Sequence, residues 1–254
     1  MTGMVASPEA WLFAALGLVF GSFASALSFR LPRGMGVVAD RSRCPHCDAV
    51  LGARDLVPLL SWVLGGRRCR HCGAAISWRY PAIELATAAL FAAAWWRGGG
   101  DLVAAVLLAA TMFGLMVILV SDLETSIIPD LMLLALLPVA ALWRWHAGGN
   151  WLDGGAGLVL GAGLSWAARA AFRRWRGRQG LGLGDVKFLG MAGLYLGANG
   201  LGPYLALSGI LGILLGLAWR LAGRGPVFPF GPALCVTLAL GLFWPGLVDL
   251  FMWQ

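Results

Sequence analysis

The stretch Met112-Phe113-Gly114-Leu115-Met116-Val117-Ile118-Leu119-Val120-Ser121-Asp122 runs through a hydrophobic segment into an aspartate. A second aspartate closes the glycine-punctuated stretch Gly180-Leu181-Gly182-Leu183-Gly184-Asp185 and opens another apolar segment. Arginines crowd the neighbourhood of both. An ionisable residue at the edge of a hydrocarbon slab is costly to desolvate, so each aspartate is a candidate functional residue. Two on one membrane face point to a shared acid–base site.

The surrounding composition makes this a membrane protein. Hydrophobic residues make up 59% of the chain and charged residues 12%, with a mean hydropathy of +0.79. A soluble domain carries about twice that charged fraction. A membrane-crossing helix needs about 20 mostly apolar residues. On that rule the expected fold is all-α and polytopic, with about eight transmembrane helices. They fall near 10–29, 81–97, 102–121, 129–146, 153–171, 186–198, 203–222 and 228–248, the sixth being short and glycine-rich. Residues 1–29 hold the first helix, 30–80 a small polar module, and 81–254 the remaining transmembrane domain.

Charge order sets the expected orientation. No basic residue precedes Trp11, whereas Arg30 and Arg33 follow the first span directly. The N-terminus is therefore expected outside and residues 30–80 in the cytoplasm, and the first segment is not a cleaved signal peptide. Alternating spans then put Arg169, Arg173, Arg174, Arg176, Arg178, Lys187, Arg220 and Arg224 inside, and only Arg97 and Arg144 outside. This bias accounts for most of the net charge of +7 without any nucleic acid. The lipid bilayer is the expected surrounding, with some arginines beside anionic headgroups. Three glycine pairs four residues apart, Gly17/Gly21, Gly157/Gly161 and Gly212/Gly216, allow close helix approach in lipid.

The polar module contains Cys44-Pro45-His46-Cys47 and Cys69-Arg70-His71-Cys72, two CxxC pairs separated by 21 residues. That spacing is close to a zinc ribbon. Cys44, Cys47, Cys69 and Cys72 are the expected ligands of one Zn2+. Four protein ligands leave no open position, so the metal is structural and substitutes for a core that about 50 residues do not build. A reducing cytoplasm disfavours disulfides. Arg43, Arg67, Arg68 and Arg70 are expected to favour the thiolates, and His46 and His71 to lie on the knuckle surface. Cys235, in the last span, reads as a small packed residue.

Asp122 shares a nine-residue hairpin with Glu124 and Asp130, in which Pro129 suits the first turn of the next helix and Thr125 or Ser126 its cap. Asp185 begins a helix on the same face, where the dipole favours a carboxylate. Gly182 and Gly184 remove side chains beside it, leaving room for another backbone. Glu124 and Asp130 are supporting acids. Lys187, the one lysine beside 18 arginines, lies two residues past Asp185 and is placed to balance charge there. Two close aspartates do not both ionise cheaply and share a proton, so one serves as base on water and the other as acid toward a carbonyl. That is aspartic peptidase chemistry. No GxSxG, HExxH or Walker loop competes.

Six features in this order resemble the type IV prepilin leader peptidases, membrane aspartic peptidases with a GxGD motif. Gly21-Ser22-Phe23-Ala24-Ser25-Ala26-Leu27-Ser28-Phe29-Arg30-Leu31-Pro32 is similar to the family's first-helix signature, with Ser25 where Asn is common. The paired CxxC motifs follow, then Arg79-Tyr80-Pro81 with Glu84. Asp122 with Pro129-Asp130 and Gly182-Leu183-Gly184-Asp185 match the two catalytic motifs. Phe228-Pro229-Phe230-Gly231-Pro232 resembles the last-span signature. The resemblance implies cleavage of the basic leader of prepilins or pseudopilins at the cytoplasmic face of the bacterial inner membrane. By position, Asp122 and Asp185 are the catalytic pair. In longer members with the cysteine module it also implies N-methylation of the new N-terminus from S-adenosylmethionine.

Other readings are peptidase activity alone with a structural zinc module, a transporter using intramembrane acids, and a non-catalytic assembly factor. Transporter sites sit near the bilayer midplane, whereas these acids lie at one face. An assembly factor has no use for two intact aspartates.

Overall fold

A computed structural model describes residues 7–37, 40–178, 180–225 and 228–246. The last two residues of the expected final span lie outside them. The chain divides into two compact units, Met1–Val117 and Ile118–Gln254. Among the described residues it is helical, with two isolated β-bridges and no longer strand.

The first unit is built on α1 (Pro8–Arg30) and α3 (Arg79–Gly98). Ser7 caps α1 by accepting the N–H of Ala10 at 3.3 Å, and Pro8 supplies the preset φ of a first turn. Gly17 and Gly21 let α1 lie directly on the backbone of α3. A methyl at either would come within 2.6 Å of the Cα of Ala88 or Glu84. Phe13 stacks near Trp95, and Phe20 touches Phe91 and Phe113, closing the apolar side of this pair.

Between them lies the cysteine module, with its own short helix α2 (Leu60–Leu64). Among the module's described residues Trp62 is the one sizeable buried anchor, 4.2 Å from the Trp78 ring and donating from Nε1 to Ile76 O. The two knuckles repeat one geometry. In the first, Cys44 N–H donates to Ala49 O and Asp48 N–H to Cys44 O; in the second, Cys69 N–H donates to Ala74 O and Gly73 N–H to Cys69 O. Asp48 and Gly73 occupy the same left-handed turn position, with φ of 55° and 72°.

Helix α4 (Leu102–Thr125) begins in the first unit and ends in the second. The second unit continues with α5 (Asp130–His146), α6 (Trp151–Arg176), α7 (Leu183–Leu221) and α8 (Gly231–Phe243). Two details differ from expectation. Pro129 is the cap position of α5 rather than its first helical residue. Neither Thr125 nor Ser126 caps it: Thr125 Oγ1 donates back to Ser121 O within α4, and Ser126 ends that helix at φ 55°.

Residues 186–198 and 203–222, expected as two spans, form one helical stretch that Gly197 interrupts at φ 78°, ψ 174°. An unbroken helix of 39 residues would run about 58 Å, nearly twice the hydrocarbon thickness. The break changes the chain's direction. Asp185 and Tyr204 sit on opposite sides of it and interact electrostatically. On a straight helix they would stand about 28 Å apart. The two halves, 183–196 and 198–221, are therefore not collinear.

Among the described residues three helical stretches are long and apolar enough to cross a membrane: Pro8–Arg33, Leu102–Thr125 and Leu183–Leu221. Helices α3 and α6 are long enough but less apolar along their length, α5 is shorter, and α8 is apolar but only 13 residues long. Of the glycine pairs, Gly157 and Gly161 receive the backbone of α7 at Gly193 and Leu189. Gly212 and Gly216 do something else: they seat the rings of Phe230 and Phe228.

Candidate active site and metal centre

Asp122, in the last turn of α4, is buried, with 5% of its surface exposed. Its Oδ2 accepts the backbone N–H of Gly231, at the start of α8, at 2.8 Å. A Cβ at 231 would stand 2.7 Å from that oxygen, so any larger residue there would push the carboxylate aside. Asp185 lies in the first turn of α7, and its Oδ2 accepts the N–H of Gly182 at 3.0 Å. Asp185 thus closes the first turn of its own helix with one of its two oxygens. The structure brings Asp122 and Asp185 close enough to interact electrostatically. Each is tethered by Oδ2 alone, and among the described residues Oδ1 of each takes no hydrogen bond. Buried Tyr204 interacts electrostatically with Asp185 and buried Cys235 with both aspartates, and Tyr204 donates to Leu234 O at 3.1 Å.

The remaining acids and the lysine arrange differently from expectation. Lys187 Nζ contacts both oxygens of Asp130 at 2.7 Å, on the surface, so its charge is balanced by Asp130 rather than by the aspartate pair. Glu124 is exposed on the last turn of α4. Gly182 and Gly184 do not leave an open strip. A Cβ at 182 would meet Asp185 Oδ2 at 2.9 Å, and one at 184 would meet Ile128 Cβ at 2.9 Å. These glycines admit the aspartate's own carboxylate and the α4–α5 turn.

Two neighbours escaped sequence reading. Arg169 on α6 is buried, donates from Nη1 to Leu181 O, and interacts electrostatically with Asp185. Its position, four residues before the arginine cluster that begins at Arg173 on α6, gave it the appearance of one more cytoplasmic cation. Gly231 was visible only as part of a motif, because nothing local links it to Asp122.

In the first unit, one sulfur from each of Cys44, Cys47, Cys69 and Cys72 lies within 4.8 Å of all the others. Cys44 and Cys72 Sγ are 3.9 Å apart. Tetrahedral zinc with bonds of about 2.3 Å sets sulfurs about 3.8 Å apart, so the donor set fits. Backbone hydrogen bonds from His46 and Cys47 lower the Cys44 thiol to about 7, and those from Cys72 and His71 lower Cys69. Cys47 is pushed up to about 11. The N–H of Ala49 favours its thiolate, but desolvation and the neighbouring sulfurs of Cys44, Cys72 and Cys69 outweigh it. Four such sulfurs ionise together only when a cation offsets their repulsion.

The arginines are not what favours the thiolates. Arg43 pairs with Asp48, Arg70 with Asp55, Arg68 donates to Gly73 O, and Arg67 lies over Trp62 and Trp78. His46 and His71 are exposed on the knuckles, and Cys235 is buried in α8.

Residues 15–98 match the bacterial peptidase A24 N-terminal domain, and residues 109–217 match the type IV leader peptidase family. A "prepilin leader peptidase/N-methyltransferase" of Dickeya chrysanthemi is 35% identical over 92% of this chain and 93% of its own length. Proteins of the same name from Bacillus subtilis and Pseudomonas aeruginosa are 35% and 32% identical, over 86% and 90% of this chain and 87% and 88% of their own. The chain belongs to the type IV leader peptidase family. No solved structure shows significant similarity to it.

Within this leader peptidase fold, the Ser25 departure has a structural setting. Arg79 Nη1 donates to Ser25 Oγ at 2.7 Å and Nη2 to Ser28 Oγ at 2.9 Å, tying the end of α1 to the start of α3. One turn along α3, buried Glu84 accepts the N–H of Leu59 at 2.8 Å, which fixes the module's loop to the helix. Leu59 is held at φ 57°, a left-handed conformation a branched apolar residue rarely adopts, so this bond also stabilises a strained turn.

Proposed function

We propose that this chain cleaves the leader peptide of type IV prepilins or pseudopilins at the cytoplasmic face of the bacterial inner membrane, and then methylates the new N-terminus. The observation that carries the peptidase reading is the meeting of Asp122 and Asp185. Each carboxylate is fixed by one oxygen and presents the other. Asp122 and Asp185 then share a proton: one draws a proton from the attacking water while the other donates to the scissile carbonyl oxygen. Gly231 and Gly182 orient the two groups by their N–H bonds, which cost no reorganisation during reaction. The assignment also rests on the relatives' names and on the position of both aspartates in matched motifs.

The cysteine cluster is proposed to hold one structural Zn2+, with all four positions filled by Cys44, Cys47, Cys69 and Cys72. Zinc would supply folding free energy to a module whose one large buried side chain, among its described residues, is Trp62. S-adenosylmethionine is the proposed methyl donor, on the strength of the relatives' names. We read the long helices as eight spans with the two halves of α7 counted separately, the N-terminus outside and the site inside.

Incubation of the purified protein with a prepilin, with and without S-adenosylmethionine, tests both activities. Mass spectrometry should show leader removal in both samples and a gain of one methyl group only with the donor. An intact prepilin after incubation with zinc-loaded, folded protein refutes the peptidase reading.

A further inference from the structure

The break at Gly197 is bridged by an ion pair between a buried arginine and a half-buried aspartate, and it belongs to neither the carboxylate site nor the metal centre. Arg144, at the end of α5, is 6% exposed. Its Nη2 contacts Asp153 Oδ2 at 2.5 Å, and its Nη1 donates to Leu194 O and Tyr195 O at 3.2 and 3.3 Å. Its Nε donates to Asn150 O at 2.9 Å. Leu194 and Tyr195 are among the last carbonyls before the break, which a helix end leaves without intrahelical partners. Asp153, in the first turn of α6, accepts from Ala198 N–H with its Oδ1 at 3.0 Å. Ala198 is the first residue after the break. One ion pair therefore ends one half of α7 and starts the other. Each charge also sits at the helix end whose dipole favours it, a cation at the carbonyl end and an anion at the N–H end. Gly197 must lack a side chain, because a Cβ there would overlap the Asp153 carboxylate.

The two halves that this pair joins carry the two aspartates, one directly and one at second hand. The half 183–196 bears Asp185 in its first turn. The half 198–221 bears Tyr204, which holds α8 through Leu234 O. Its Gly212 and Gly216 seat Phe230 and Phe228, just before α8. The first residue of α8, Gly231, holds Asp122. The angle at Gly197 thus sets where Asp185 stands relative to the helix that holds Asp122.

We propose that Arg144 and Asp153 are positioning residues for the Asp122–Asp185 pair, acting through the angle between the halves of α7. The inference rests on the peptidase reading for its catalytic consequence. A misplacement of about 1 Å at reacting groups costs on the order of 10²-fold in rate. Substrate binding draws on a much larger surface and should change less.

The test uses the full-length, zinc-loaded protein with Asp153→Asn, Arg144→Lys and Gly197→Ala. Asp153→Asn keeps an acceptor for Ala198 N–H and loses only the charge. Two readouts are taken per folded molecule: kcat and KM for a prepilin, and amide hydrogen exchange. The expected result is a kcat lowered about 10- to 100-fold with KM within about threefold. Exchange should quicken at 183–186 and 231–235 as well as at 194–200. A lowered thermal midpoint with unchanged kcat would mean the pair merely stabilises the bundle, and would overturn the proposal. Quicker exchange confined to 194–200 overturns it too. If the wild-type protein cleaves no prepilin, the peptidase reading fails, and the spread of exchange to 183–186 and 231–235 still decides whether the brace acts on both aspartate-bearing sites.

Discussion

Gly231 donates its backbone N–H to Asp122 Oδ2 at 2.8 Å, joining the first residue of α8 to an aspartate 109 positions earlier. The bond leaves the other carboxylate oxygen for chemistry and fixes its direction. It also explains why a hydrogen atom suffices as the side chain at 231, since a methyl would press on the same oxygen at 2.7 Å.

Gly231→Ala should therefore lower kcat by about 10²-fold while the protein still inserts and purifies, because Asp122 must rotate or shift to accommodate it. Steady-state kinetics with a prepilin checks this. A kcat within twofold of wild type would show that the Asp122 orientation seen here is not the reactive one.

Asp122→Asn and Asp185→Asn should each remove cleavage by at least 10²–10⁴-fold, and the double variant should be little worse than either alone, since the two act as a unit. An amide oxygen still accepts from Gly231 or Gly182, so the fold should persist. Product mass spectrometry gives the rate, and size-exclusion chromatography the fold. Near-normal processing by either variant removes that aspartate from the assignment.

Lys187→Ala and Asp130→Asn should change activity by less than about threefold and stability by less than about 1 kcal/mol. Their pair is short but solvent-exposed on both sides, and exposed pairs are worth little. A large loss of cleavage in either would place this pair within the reacting site.

One zinc per chain is expected by elemental analysis, with Cys69→Ser lowering it and Cys235→Ala leaving it unchanged. Binding displaces thiol protons, so apparent affinity should fall as pH falls. The Cys47 thiol, at about 11 without metal, is protonated throughout the working range, and Cys44, at about 7, protonates as pH drops through neutrality. Competition titrations between pH 8 and 6 should show affinity falling by about tenfold per pH unit for each proton displaced. An affinity flat across that range would rule out thiolate ligation.

A single cysteine at position 126 or 181, in a background without the native cysteines, should react with a membrane-impermeant thiol reagent only from the cytoplasmic side. Both positions flank the aspartate pair. Reaction from outside intact cells would invert the proposed topology.

Much of this molecule is legible in the order of its residues. Hydropathy gives the helices because a backbone in lipid has to satisfy its own hydrogen bonds, so apolar runs of this length become helical. The two CxxC pairs give the metal cluster because four thiols on two tight turns define their own geometry locally. The paired aspartates stand out because carboxylates at the ends of apolar segments are rare. The close packing of α1 on α3 follows from Gly17 and Gly21.

Tertiary structure decided the rest, because each remaining feature joins residues with no local relation. Lys187 lies two residues from Asp185 in sequence, yet it leaves the helix surface on a side that brings it to Asp130. The glycines before Asp185 looked like open space and prove to be filled by Asp185 itself and by Ile128. Arg144 counted as an outer-face charge, and it is buried at a helix break that only the fold creates. Charge and hydropathy along a chain report which environment a residue prefers. Which partner meets its hydrogen bonds depends on helices that return from far along the sequence, as α8 does to Asp122.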